Sequence, residues 1–399
     1  MRGPWHQFGD RSQRFALELL QSGAGVGVVI SPRDLSWDNA KDYSQQYHGL
    51  NAQVLIDQQF YIPDYSNPRM ESYPISHHRI SISQLCQIPD AKLRDLSNQL
   101  RIINSELSTE GLIAPAVVYE SGRQDIFQLN ERLFSAAKLA GDDLGIPTFA
   151  SVMLGQSITA SDYTIDVALS QITSLQSDGW YLGFQFEDER IPSSIDSVSR
   201  FCQVSLTLAC MGKPVLHAYA GPMALLSFGA GVTGVCIGHF QNLWKFSPRR
   251  WQVPASQQGG GGDAPPRFFS TNLWGTIIYP DELVQLPLSL RNRIITPSPF
   301  SSSVTPSATV PWSRWEANKH LVYSICSTID SITSSNDPRA NANSAIQVLD
   351  NAISLHDDIK NHGFHLADNT DAYQANWREA LINLLSNNSS DYDYLDLIS

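Results

Sequence analysis

The 399 residues carry 42% hydrophobic side chains and a formal net charge of −12, enough apolar material for a sizeable core, which excludes a globally disordered chain. The acidic balance argues against a surface that coats nucleic acid or an anionic membrane broadly, though not against one local basic channel. Five cysteines without a CxxC pair read as buried free thiols; with no apolar leader and no run of ~18 apolar residues, the expectation is a cytoplasmic protein with no membrane partner.

In chain order, residues 11–22 place Phe15, Leu17, Leu19 and Leu20 near helical spacing and stop at Ser22-Gly23. A short β-type run at 25–30 closes on Ser31-Pro32-Arg33-Asp34. A polar helix at 37–48 leads to the apolar run 53–56, which ends at Asp57-Gln58-Gln59-Phe60-Tyr61. The stretch 62–89 is rich in Pro, Ser, Tyr and His and too long for an ordinary connection, so it reads as an irregular excursion over the strand ends, with His77-His78 as a surface pair. Beyond it, Leu93, Leu96, Leu100, Ile103 and Leu107 recur at three- and four-residue steps behind Asp90, a helix signature.

Strand-like runs follow at 113–119, with Glu120 just past the end, and at 147–154, ending at Gly155-Gln156; helices are expected at 127–144 and 161–177. Three further runs at 180–186, 214–219 and 232–237 each follow a Gly or Pro signal and give way to polar residues. Those residues are Gln185, Glu187 and Asp188; His217 and Tyr219; and His239, Gln241 and Asn242. An eighth run at 273–279 lies beyond a flexible Gly-rich insert at 255–268. Such alternation predicts parallel strands with right-handed crossovers, an α/β (β/α)8 TIM-type barrel over residues 1–295. An open doubly wound sheet is the alternative, weakened because no GxGxxG or GxxxxGK[ST] follows any strand. A Pro/Ser/Thr-rich linker at 296–311, a C-terminal helical domain at 312–386 and an acidic, fraying tail at 387–399 complete the expected layout.

A barrel delivers its strand ends to one mouth, where ligands bind. Asp57 and Glu187 are the economical acid–base pair there. Asp57 follows an unbroken apolar run, so burial should raise its pKa, while Glu187 opens a solvated acidic cluster that keeps it charged. Substrate contacts are expected from Arg33, Asp34, Gln58, Gln59 and Tyr61 on the early strands, and from Glu120, Gln156 and Gln185 in the middle. His217, Tyr219, His239, Gln241 and Asn242 would complete the ring. Each has a bland counterpart as a helix cap or a hydrogen-bond partner in the wall. His217, His239 and Asp57 offer zinc-type ligands, but no tight ligand spacing supports them, so no metal is assigned and cofactors stay open. The absence of GxSxG argues against a Ser-His-Asp hydrolase. In WKFSPRRW, Trp244, Lys245, Arg249, Arg250 and Trp251 suit phosphates and stacked bases, or else form a Trp-anchored loop with arginines lying across the rings.

Three segments, VLIDQQFY at 54–61, GFQFEDE at 183–189 and PVLHAYAGPMALLSFGAGVTGVCIGHFQN at 214–242, together resemble the tRNA-guanine transglycosylase superfamily, including its DNA-directed relatives that insert deazaguanine bases. The resemblance spans about 25–250 and implies Asp57 as the base-recognising or acid–base carboxylate, with Gly183 and Gln185 against the base. Cys236 stands where the family's nucleophilic Asp would fall, and its zinc-binding cysteine cluster is absent. The expected function is therefore an enzyme acting on a glycosidic or related bond of a nucleotide or nucleic-acid substrate, with base exchange as one form. The alternative is a catalytically silent barrel that serves as a binding or scaffold subunit, its C-terminal helices contacting a protein partner.

Overall fold

Eight short strands make the centre: β1 (Gly3–Gln7), β2 (Gly27–Ile30), β3 (Gln53–Ile56), β4 (Leu112–Ile113), β5 (Thr148–Leu154), β6 (Gly179–Phe184), β7 (Val215–His217) and β8 (Gly234–Gly238). The computed structural model describes residues 1–186, 191–252, 265–307, 310–333, 337–367 and 372–398. All eight strands run parallel in the order β3-β2-β1-β8-β7-β6-β5-β4. The two ends of that order meet, because the Glu110 amide donates to the Val54 carbonyl at 3.2 Å and the Val54 amide to the Glu110 carboxylate at 2.5 Å. The result is a nearly closed TIM-type barrel.

Side chains alternate between lumen and outer wall along each strand. Trp5, Val29, Leu55, Phe149, Tyr181, Leu216 and Cys236 fill the lumen. Their neighbours Val28, Val54, Ala150, Trp180, Leu182, Val215 and Val235 face outward into a second apolar layer. Helices α1 (Ser12–Gln21), α2 (Trp37–His48), α3 (Asp90–Leu107), α4 (Gln124–Leu144), α5 (Asp162–Ile172), α6 (Ile195–Ala209) and α7 (Ala224–Gly229) follow β1 to β7 in turn. In α3 the buried residues include Leu96, Leu100, Ile103 and Leu107, the stripe visible in the sequence.

The expected count of eight is met by a different set of strands. β1 carries no apolar run: GPWHQ alternates Trp5 and Gln7 inward with His6 outward, and it joins the sheet through backbone pairing to β2 and β8. The stretch 273–279 instead contributes to an antiparallel hairpin outside the barrel, β9 (Arg267–Ser270) and β10 (Gly275–Ile278). Of the run 113–119 only Ile113 is strand, following Leu112 in β4, and Tyr119 makes a bridge to Leu154, consistent with Pro115, which has no N–H to give a ladder. The excursion is not featureless; it contains short helical turns at Pro68–Glu71, Pro74–His78 and Ile82–Cys86 and buries Tyr73, Ile75 and Leu85.

The C-terminal helices are α8 (Arg314–Ile332), α9 (Pro338–Asn361), α10 (Ala372–Asn387) and α11 (Ser389–Ile398). Ser313 and Glu316 form a capping box that starts α8. Their apolar faces join the core of the barrel's outer helices: Trp315 packs edge-on against Phe15 at 4.7 Å, and the Trp377 indole donates to the Pro192 carbonyl at 2.7 Å. The tail, expected to fray, is helical, with Tyr392 buried and its hydroxyl donating to the Gly229 carbonyl. No helix among the described residues is long and apolar enough to cross a membrane.

One position tests the tightness of the wall. A Cβ on Gly27 would collide with the Gln53 carbonyl and the Trp5 ring. Gly27→Ala is expected to lower stability by roughly 1–3 kcal/mol, the usual cost of overpacking, read as a fall in Tm; an unchanged Tm would contradict this packing.

Candidate functional site

Asp57 follows β3 directly and continues its inward parity, so its carboxylate stands at the centre of the C-terminal mouth, only 2% exposed. One oxygen, Oδ2, accepts from three phenols: Tyr61 at 2.6 Å, Tyr181 at 3.3 Å and Tyr219 at 3.4 Å. The other accepts from the Gln59 amide at 2.9 Å. Burial pushes the Asp57 pKa up to about 6, against the downward pull of those hydrogen bonds. Burial and the adjacent carboxylate hold all three phenols well above their ordinary range, so they remain donors. Gln59 and Tyr219 both sit in left-handed backbone, φ 52° and 59°, a local strain that clusters at functional sites.

A second buried carboxylate is linked to Asp57 through Gln59 and Ser31. Asp34 accepts from Ser31 at 2.8 Å and is ion-paired by Arg33 at 3.1 Å and Arg250 at 2.7 Å. Gln59 connects the two acids: its side-chain oxygen lies 3.0 Å from the Ser31 hydroxyl and shares that one proton with Asp34, its amide nitrogen donates to Tyr219 at 3.3 Å, and its backbone N–H holds Asp57. Asp57 therefore sits among neutral donors and Asp34 among guanidiniums, two carboxylates in contrasting surroundings. Glu187, the expected partner of Asp57, lies outside the described residues.

Arg79 reaches in from the excursion. Its guanidinium lies over the Phe60 ring at 4.7 Å and donates to the carbonyls of Gln58 and Gln59. Burial lowers its pKa to about 9, which leaves it a cation at neutral pH. The Gln58 side chain, 1% exposed, makes no hydrogen bond to the described residues through either its oxygen or its nitrogen. A buried amide with donor and acceptor both unmet is rare enough to need a reason.

The loop after β8 lies across the mouth. Phe246 and Trp251 join the lumen core and pack edge-on to Tyr61 at 5.2 Å and 4.7 Å. Trp244 is buried and donates to the Gly238 carbonyl at 3.1 Å. The aromatic faces expected for bases are thus committed to the protein's own core, and Arg250 to Asp34. Within WKFSPRRW, Arg249 is exposed and Lys245 is half-buried. Gly183 lies under the Phe246 ring.

Several expected mouth residues are elsewhere. His217 points outward from β7, beside Phe201, with Nδ1 at 2.8 Å from the Ser227 hydroxyl; burial drives its pKa to about 3. His239 stacks on Phe15 at 4.5 Å and meets His6 at 3.3 Å, also on the outer side. The two histidines and Asp57 therefore do not converge on a metal. Glu120, Gln156 and Gln185 form a separate rim group, in which Ser157 donates to Glu120 and the Gln156 amide to Gln185 at 3.2 Å. Gln241 and Asn242 lie at the start of the covering loop, in the turn Gln241–Leu243.

The structure adds residues that the sequence did not single out: Tyr181, Gln7, Ser31 and Arg79. The Gln7 side-chain oxygen lies 3.0 Å from the Tyr181 hydroxyl and shares its one proton with Asp57, which fixes the phenol beside the carboxylate. Only the alternation of β1 and β6 signalled Gln7 and Tyr181, and GWYLGF is apolar at nearly every position, which hides which residues face in.

No protein-family model matches the chain, and no curated protein matches it. Loosely similar solved structures include N-acetylneuraminate lyase from Mycoplasma synoviae, at 11% identity and TM-score 0.31 over 60% of this chain and 70% of that one. L-ribulose 3-epimerase aligns at 10% identity and TM-score 0.34 over 60% and 81% of the two chains. D-allulose 3-epimerase from Methylomonas sp. aligns at 12% and 0.34 over 59% and 83%. Alignments this loose leave the chemistry to be argued from this chain's own residues: it is a TIM-type barrel whose mouth carries a phenol-ringed carboxyl group.

Proposed function

We propose that this barrel is an enzyme that moves a proton through Asp57 to the leaving oxygen or nitrogen of a glycosidic or related bond in a hydroxyl-bearing substrate. The observation that carries the reading is a buried carboxyl group with a pKa of about 6 at the C-terminal mouth, close enough to neutrality to act as an acid. Tyr61, Tyr181 and Tyr219 then stabilise the carboxylate that remains after transfer, and the unmet amide of Gln58 suits a hydroxyl group. Asp34 is fixed by Arg33 and Arg250 beside it. The resemblance to tRNA-guanine transglycosylases would narrow the bond to an N-glycosidic one with base exchange. The buried Trp244, Phe246 and Trp251 lend that narrower form no support.

Phe246 and Trp251 cover Asp57, so substrate entry requires them to move aside. That cover favours a second reading, a silent barrel whose mouth is permanent core. Turnover of a panel of alkyl glycosides, whose leaving oxygen must be protonated to depart, compared between the native protein and Asp57→Asn, separates the two. The expected result is turnover that falls as pH rises through about 6 and drops at least ~100-fold in the variant. No turnover by the native protein would leave the silent reading standing, and equal turnover by the variant would remove Asp57 from the chemistry.

A further inference from the structure

We propose that His77, His78 and Asp95 form a binding site for a divalent transition-metal cation of the zinc class, on the flank of the excursion and apart from the barrel mouth. The turn Pro74–His78 lays both imidazoles against α3, their ring centroids 4.1 Å apart. Nε2 of His77 lies 2.8 Å from Oδ2 of Asp95, and Nε2 of His78 lies 3.2 Å from the same oxygen. The three ligand atoms fall within 4.8 Å of one another. A tetrahedral site with bonds of about 2.0–2.1 Å spaces its ligands by roughly 3.4 Å, so a modest rotation of the half-exposed His77 ring completes the set.

The hydrogen bonding around the rings points the same way. Nδ1 of His77 lies 3.0 Å from the Pro74 carbonyl, an acceptor only, so Nδ1 carries the proton. In the neutral ring, Nε2 then presents a lone pair to a carboxylate oxygen, a repulsive contact unless a proton or a cation lies between them. His78 is 2% exposed, and its buried Nε2 is aimed at the same oxygen without the alignment of a hydrogen bond. His77 and Asp95 are 45% and 40% exposed, which leaves the remaining coordination positions to water, the pattern of three protein ligands with an open side. Lys92, one turn before Asp95, is the nearby cation that opposes binding.

The placement gives the metal a consequence. Arg79 follows His78 directly and holds the carbonyls of Gln58 and Gln59, the loop that carries Asp57. A cation joining the Pro74–His78 turn to α3 would fasten that support from outside.

The test uses the full chain, freed of metal with a chelator and titrated with Zn²⁺ and with Co²⁺, whose visible absorption reports tetrahedral nitrogen and oxygen ligation. One equivalent per chain is expected. His77→Gln and Asp95→Asn, both at half-exposed positions, should keep their metal-free Tm. Each should weaken binding at least ~100-fold, because losing a ligand exceeds the roughly 10–100-fold cost of losing an outer partner. Zn²⁺ should raise the Tm of the native chain and not of the variants. A readout free of substitutions is diethyl pyrocarbonate labelling of His77, mapped by mass spectrometry, which Zn²⁺ should suppress. Absence of stoichiometric binding, equal binding by the variants, or unchanged His77 labelling overturns the site and leaves a His–Asp hydrogen-bonded staple.

Discussion

Asp57→Asn is expected to make the protein more stable at pH 8 while removing its turnover. The Asp57 pKa is raised in the fold to about 6, against about 3.9 in an unfolded chain. Between those values the native state binds more protons than the unfolded state, so stability is full below about pH 4 and is lost as pH rises through 6. A shift of about two units corresponds to ~3 kcal/mol. Asparagine cannot ionise and escapes this loss. Its amide oxygen can take the place of Oδ2 beneath the phenols, but its NH2 then faces the Gln59 N–H, forfeiting one hydrogen bond worth ~1 kcal/mol at every pH. The net gain at pH 8 is therefore ~2 kcal/mol, reversing to a small loss at pH 4. Urea denaturation of both proteins from pH 4 to 8 measures it; a difference that does not vary with pH would show that Asp57 is not the group with the raised pKa. Gained stability with lost turnover is the mark of a residue kept for chemistry.

Trp251→Ala is expected to cost ~3–5 kcal/mol, the range for removing a large aromatic side chain from a core. The indole is 1% exposed and packs on both Tyr61 and Tyr219. The more informative effect falls on Asp57. Burial is the largest cause of its raised pKa, so admitting water should bring that pKa down toward the ordinary carboxylate range. Stability at pH 4–6 would then vary less with pH than in the native protein, and any acid-dependent turnover would shift to lower pH. Trp251→Phe, which keeps a ring in the mouth, should lie between the two. Destabilisation without a change in pH dependence would mean that other groups keep Asp57 dry.

The two histidines show how a strand end misleads. His217 and His239 each follow an apolar run, as Asp57 does, yet one residue of parity decides the face. Leu216 faces the lumen, so His217 faces the helices. Tyr219 has the same parity as His217 but reaches Asp57, its backbone having turned to φ 59°. In WKFSPRRW the composition suits either a stacking surface or a packed cover, and only the walls that receive Phe246 and Trp251 decide for the cover.

Local pattern determined what depends on a few neighbouring residues: most of the strands, the helical stripes, the β–α alternation that makes a barrel, and Asp57 at the end of a buried strand. Closure decided the rest. It recruited an N-terminal strand with no apolar run and placed 273–279 outside the barrel. It also brought Gln7, Tyr61, Tyr181, Tyr219 and Trp251 together around one carboxylate. Those partners lie up to 244 positions apart, from Gln7 to Trp251, and inward-facing positions on strands buried on both faces leave no periodic mark in the sequence, so only the closed sheet sets which of them meet.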